Sequence, residues 1–180
     1  YGLSFYVEKG GEVRAVGPYL PSIVAGVLIV STLHELGHSI AAKKHGVRLG
    51  KPIPLPSLQL GTFGSITPFR SFPSTKAAMF DTSLGGPGTS MLISIILMIS
   101  GLTLTISSQA LANLPVIPAG MLKSSFLVGS IVSVVAPKLM LVPLSQSIPI
   151  HPFFLVGLSG IVMSALNMLP IGRLDGGRAF

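Results

Sequence analysis

Apolar residues gather along the chain into long runs, separated by short stretches rich in proline and glycine. Tyr19 to Ile40 is the first run, and about 20 residues rising roughly 1.5 Å each cross a hydrocarbon core, so the pattern predicts a spanning helix A. Leu84 to Ile106 carries no ionisable group and predicts a second span, helix B. Gly85, Gly86, Pro87 and Gly88 read as the opening of B, a helix N-terminus with proline near the first turn. Pro152 to Ile171 predicts a third span, helix D, interrupted near its end by Pro170. Between B and D, Ser124 to Ala136 is apolar but short, and it runs into Pro137 and Lys138. That stretch, with the residues to 142, fits an interfacial or re-entrant piece better than a full crossing.

The polar stretches have their own patterns. Residues 1–18 form a flank in which Phe5, Val7, Val13 and Val16 suggest a short hairpin outside the membrane. From Gly50 to Ser74, Pro52, Pro54, Pro56, Pro68 and Pro73 forbid a helix but allow short extended segments. Leu58 to Ile66 reads as a strand or tight hairpin. The expected fold is an all-α polytopic membrane protein with three core transmembrane helices and a short β-hairpin or re-entrant loop between the first two. Residues 19–180 make up the core. The chain starts at Tyr1 without Met and stops five residues past Asp175, so it reads as a C-terminally truncated fragment.

Composition sharpens this picture. Of 180 residues, 49% are hydrophobic and 9% charged, with a mean hydropathy of +0.76. A soluble domain usually carries about 25% charged residues, and a disordered one lacks such apolar runs. The net charge of +7 would raise nucleic acid as a partner in a soluble protein. Here Lys43, Lys44, Arg48 and Lys51 follow helix A, as basic residues do on the cytosol-like side of a membrane. No aromatic RNA-binding pattern accompanies them, so the expected partner is a lipid bilayer and not nucleic acid. Helix A then runs outside to inside, B returns, and D ends inside beside Arg173 and Arg178. There is no cysteine, so any metal must be held by His, Asp or Glu.

Helix A contains His34-Glu35-Leu36-Gly37-His38. Imidazoles four residues apart share one helix face, so two ring nitrogens can bind one ion, with Glu35 beside them to reach a bound water. The pentapeptide alone is a modest signal. Its setting strengthens it: no ionisable residue lies between Leu20 and Leu33, and a charged group deep in a span costs about 2.5 to 3.5 kcal/mol and marks function. The bland alternative is a helix that ends at Leu33, with a wet His-Glu end. A hydrolytic zinc usually takes a third protein ligand. Of five acids, Glu8 and Glu12 lie in the flank, Asp81 precedes B, and Asp175 lies at the inner end of D. Asp175 is the candidate third ligand; a helix-capping or turn role, suggested by the glycines after it, is the alternative.

With Asn167-x-x-Pro170 and Leu174-Asp175-Gly176 in a later segment, the sequence resembles the site-2 protease family of intramembrane zinc metalloproteases from about Leu20 to Phe180. Gly46-Val47-Arg48-Leu49-Gly50 and the stretch Leu55 to Thr67 resemble its plastid branch, the ethylene-dependent gravitropism-deficient and yellow-green proteins. The resemblance implies one zinc ion per chain on His34, His38 and Asp175, with Glu35 as catalytic acid and base. It implies that Asn167 holds the substrate or the oxyanion, and that the loop containing Gly61, Phe63 and Gly64 lies near the substrate path. It also implies a transmembrane protein substrate and a chloroplast membrane, thylakoid or envelope. Asn167 has another available role, bonding backbone freed by Pro170. The strand from Leu60 to Ile66 could pair with an unwound substrate, or be a plain connection.

Two other functions compete: a catalytically silent membrane scaffold or chaperone derived from such a protease, and a transporter with a cation pathway. His45 reads as an interfacial side chain, His151 as remote from the zinc, and Met91, Met98, Met163 and Met168 as packing. No pattern fixes the oligomeric state.

Overall fold

The computed structural model describes residues 6–9, 12–15, 19–57, 61–107, 114–172 and 174–179. In chain order its elements are β1 (Tyr6–Lys9), β2 (Glu12–Ala15), α1 (Leu20–Lys44), β3 (Ile53–Ser57), β4 (Gly61–Ile66) and α2 (Lys76–Ser107), then β5 (Val116–Pro118), α3 (Ala119–Lys123) and α4 (Phe126–Val135). A 3-10 turn (Pro137–Leu141), β6 (Ser147–Pro149), α5 (Pro152–Asn167) and α6 (Asp175–Ala179) complete it. The chain divides into two compact units, Tyr1–Ile23 with Ile96–Val156 and Val24–Ile95 with Gly157–Phe180.

Helix α1 is helix A of the sequence, continued to Lys44. It ends where Gly46 takes φ +65° and sends its N–H to Lys43 O while Val47 N bonds Ala42 O, a Schellman closure with Val47 and Ala42 both buried. The hairpin expected between the first two helices is present. Strand β3 pairs antiparallel with β4, Ile53 opposite Ile66 and Ser57 opposite Gly61, with an irregularity between Pro54 and Pro56. Its base is closed by Gly50 N on Pro68 O and Arg70 N on Arg48 O. Residues 58–60 of the expected strand lie outside the described residues. The hairpin expected in the flank is β1 with β2, Tyr6 opposite Ala15.

Helix B begins earlier than its glycines suggested. Thr75 Oγ1 accepts the Ala78 N–H at 3.1 Å, a cap that starts α2 at Lys76, so Asp81 lies within the helix and Pro87 in its interior. The glycines serve packing: a methyl group on Gly85 would sit 2.8 Å from the Ala41 methyl, and one on Gly86 would overlap the His38 ring.

Helices α1 and α2 are each long and apolar enough to cross a membrane, and only 22% and 33% of their most apolar windows are buried. A core helix of a soluble protein would be mostly buried. Here Leu28, Ile29, Ile40, Leu92 and Ile96 face outward, as they can in lipid. The expected third span is shorter. Helix α5 has 16 residues, about 24 Å, and stops at Asn167 ahead of Pro170, where proline forbids continuation. Helix α4 has 10 residues, about 15 Å, and is no crossing, in keeping with the re-entrant or interfacial expectation. In the first unit, Leu102, Leu122, Val132, Ile150 and Phe154 are fully buried. In the second, Val27, Val30, Ala42 and Ala78 are buried.

Candidate metal centre

Helix α1 carries His34 and His38 one turn apart, both buried. Their Nε2 atoms lie 3.1 Å apart, and the rings meet edge to face with centroids 4.8 Å apart. Asp175, the first residue of α6, is 4% exposed and places Oδ2 3.2 Å from both Nε2 atoms. The three atoms form a nearly equilateral triangle, one side from each pair. Donors about 2.0 to 2.1 Å from a tetrahedral zinc stand about 3.3 to 3.4 Å apart, so this donor set fits the ion.

Both imidazoles are oriented from behind. His38 Nδ1 meets Thr82 O at 2.8 Å, and His34 Nδ1 meets Ser90 Oγ at 2.9 Å. This leaves both Nε2 atoms turned to the triangle, as metal-ligating histidines require. The alternative of a mere turn residue is thus too narrow: Asp175 opens α6 and also faces both rings. Gly176 follows because a methyl group there would strike the Met168 carbonyl.

Glu35 also approaches the histidines, with ligand atoms of the three residues all within 4.8 Å of one another. Its carboxylate is engaged elsewhere. Ser65 Oγ donates to Oε1, and Thr67 Oγ1 donates to Oε2 at 2.5 Å. Asp175 therefore suits the third ligand position better, and Glu35 stands beside the triangle with its oxygens oriented by the end of β4. Arg178 of α6 ties the same segment, donating from Nη1 to Thr67 O at 2.6 Å and lying 5.2 Å above the Phe69 ring.

Asn167 ends α5, is 2% exposed, and its Nδ2 has no hydrogen-bond partner among the described residues. A buried amide donor without a partner costs about 1 to 3 kcal/mol, which suits a group kept for a ligand better than one spent on the turn at Pro170. Gly61, Phe63 and Gly64 lie along β4, which also carries Ser65 and ends one residue before Thr67. His45 instead bonds Asp81 at 2.9 Å, and His151 accepts the Phe153 N–H at the start of α5.

Ser65, Thr67, Thr82, Ser90, Ser164 and Arg178 were missed by sequence reasoning. Ser65 and Thr67 share one strand face, a signal that could have been read. A lone Ser90 in an apolar helix offers none.

A family model described as Peptidase family M50 matches residues 22–180. The chain is 35% identical over 171 residues to the probable chloroplastic zinc metalloprotease EGY1 of Oryza sativa subsp. japonica, covering 93% of this chain and 29% of that protein. It is 36% identical over 154 residues to EGY1 of Arabidopsis thaliana, covering 86% and 28%. With EGY2 of Arabidopsis thaliana, also named a probable chloroplastic zinc metalloprotease, it shares 29% over 159 residues, covering 88% and 28%. The chain thus spans less than a third of these curated relatives. No solved structure matches it significantly.

Proposed function

Because the chain belongs to peptidase family M50, the site-2 protease family of zinc metalloproteases, we propose that it is the catalytic core of a zinc-dependent endopeptidase that hydrolyses peptide bonds of membrane-embedded substrates. The observation that carries this reading is the convergence of His34 Nε2, His38 Nε2 and Asp175 Oδ2 in a buried triangle beside a carboxylate that is not part of it. His34, His38 and Asp175 hold the ion. When bound, zinc acts as a Lewis acid toward a carbonyl and lowers the pKa of water to about 7. Glu35 takes the proton from the attacking water and returns it to the leaving amine as the peptide C–N bond breaks. Ser65 and Thr67 keep its carboxylate aimed for both transfers. Asn167 donates its amide hydrogen to the oxyanion or to the substrate backbone, a kind of contact worth about 3 to 4 kcal/mol in other hydrolases.

A transmembrane substrate must unwind before a carbonyl is accessible, and its freed backbone needs new partners. An edge of the β3–β4 hairpin supplies them, with Gly61 and Gly64 permitting close backbone approach and Phe63 between them. Residues 19–180 form this core and 1–18 flank it. Helix α5 with the turn that follows it at Met168 to Gly172 makes a third crossing that brings Asp175 back to the level of His34 and His38. A chloroplast membrane as its location is supported by the relatives, which are named chloroplastic, and by the two apolar helices.

Metal analysis of the full-length protein tests the site: one zinc per chain in the wild type and none in His38→Ala. Equal zinc in the two removes the proposed ligand set. Cleavage of a transmembrane substrate, lost in Glu35→Gln while zinc remains, separates a protease from a silent scaffold.

A further inference from the structure

The two imidazoles are braced by different chemistry. The group behind His38 is the Thr82 carbonyl, which accepts and has no proton to give, so His38 carries its hydrogen on Nδ1 and keeps the Nε2 lone pair. The group behind His34 is the Ser90 hydroxyl, which can donate or accept. Ser90 alone therefore leaves the His34 tautomer undecided. Its neighbours decide it. Ser90 Oγ lies 2.7 Å from Ser164 Oγ on α5, and Ser164 donates to Gly160 O at 2.8 Å. Ser90 Oγ also reaches Gly86 O at 3.1 Å and Pro87 O at 3.2 Å. Every path leading away from His34 ends at a carbonyl, which only accepts. Each hydroxyl has one proton, so those protons run outward and Ser90 keeps a lone pair for the His34 Nδ1–H. Both serines are 0–1% exposed, which keeps solvent from reversing the order.

We propose that Ser90 and Ser164 are positioning residues for the metal, a hydroxyl relay from α5 through α2 that fixes His34 in the tautomer whose Nε2 lone pair faces His38 and Asp175. The relay rests on the reading of His34 as a ligand. Ser94, one turn further along α2, supplies the contrast: it is equally buried, but its hydroxyl has no partner among the described residues.

Zinc affinity of the full-length protein in detergent, measured by competition with a chelator, tests the relay. Ser90→Ala weakens zinc by about 10- to 100-fold, the usual effect of removing a group that orients a ligand. Ser164→Ala weakens it less. The double variant is no weaker than Ser90→Ala to within about twofold, because Ser164 acts only through Ser90. Ser94→Ala matches the wild type, as a general packing effect would not predict. Ser90→Ala holding zinc as tightly as Ser94→Ala overturns the relay, and so do losses from Ser90→Ala and Ser164→Ala that multiply. Should Ser90→Ala fail to fold, the nitrogen-15 shifts of His34 in metal-free Ser164→Ala carry the test: a mixed tautomer supports the relay and an unchanged Nδ1–H form overturns it. A wild type without stoichiometric zinc overturns the ligand set and the relay with it; a zinc-loaded wild type matched by Ser90→Ala overturns the relay alone.

Discussion

Neighbouring acids in one buried cluster are set apart by what already holds their oxygens. Asp175 faces two imidazoles, whereas Glu35, adjacent to His34 in sequence, is occupied by two hydroxyls. Removing each should therefore have a different signature. Glu35→Gln keeps the carbonyl oxygen that Ser65 or Thr67 bonds but cannot take a proton, so the protein is expected to retain zinc and to lose about 10²- to 10⁴-fold in kcat, read from single-turnover cleavage beside metal analysis. Asp175→Asn leaves a weaker, neutral donor in the triangle, and the expected first loss is zinc. Asn167 differs again. Its buried Nδ2 has no hydrogen-bond partner among the described residues, so Asn167→Ala should leave zinc stoichiometry intact and lower kcat by about 10²- to 10³-fold. A fall in zinc content in Asn167→Ala would instead make it a structural prop of the site.

Between helices, the site depends on how closely α1 and α2 approach. A methyl group on Gly86 would overlap the His38 imidazole, and one on Gly37 would overlap the Gly85 carbonyl, while Gly88 has open space beside it. Gly86→Ala is thus expected to displace His38 and abolish stoichiometric zinc. Gly88→Ala should keep zinc and gain roughly 0.5 to 1 kcal/mol from helix propensity, measurable by thermal unfolding. Equal zinc in both variants would show that the glycines merely tolerate the helix. The same residues explain what the sequence concealed. Gly85-Gly86-Pro87-Gly88 resembles a helix start because each residue disfavours a helix interior, yet the close approach of α1 needs them inside one, and the Thr75 cap starts the helix at Lys76, nine residues before Gly85. The His34-Glu35-x-x-His38 spacing was legible since helical periodicity alone sets it. The hydroxyl of Ser90 was not, because serine and threonine bond helix carbonyls throughout α2 and only tertiary contacts single this one out.

For the molecule as a whole, the third crossing is the step the sequence proposed and the helix lengths alone do not supply. Helix α5 covers about 24 Å by its 16 residues, short of a hydrocarbon core of about 30 Å. The remaining distance falls to the turn at Met168 to Gly172, where irregular backbone is tolerable only if it is buried in protein or lines a wet cavity. Asp175 belongs to the same polar cluster as His34 and His38, which supplies such surroundings. On the proposed topology, in which α1, α2 and α5 each cross once, chain order puts the C-terminal end of α1 and the turn after α5 on one side and Lys138 on the other. These 180 residues contain no cysteine, which keeps labelling within them specific to the introduced thiol. Single cysteines replacing Lys44, Ile171 and Lys138, all on exposed positions, are expected to react with an impermeant maleimide from one side for the first two and from the opposite side for the third. Labelling of Ile171→Cys and Lys138→Cys from the same side would mean that α5 does not cross, and Asp175 would then have to reach the histidines from a chain that enters and leaves on one face.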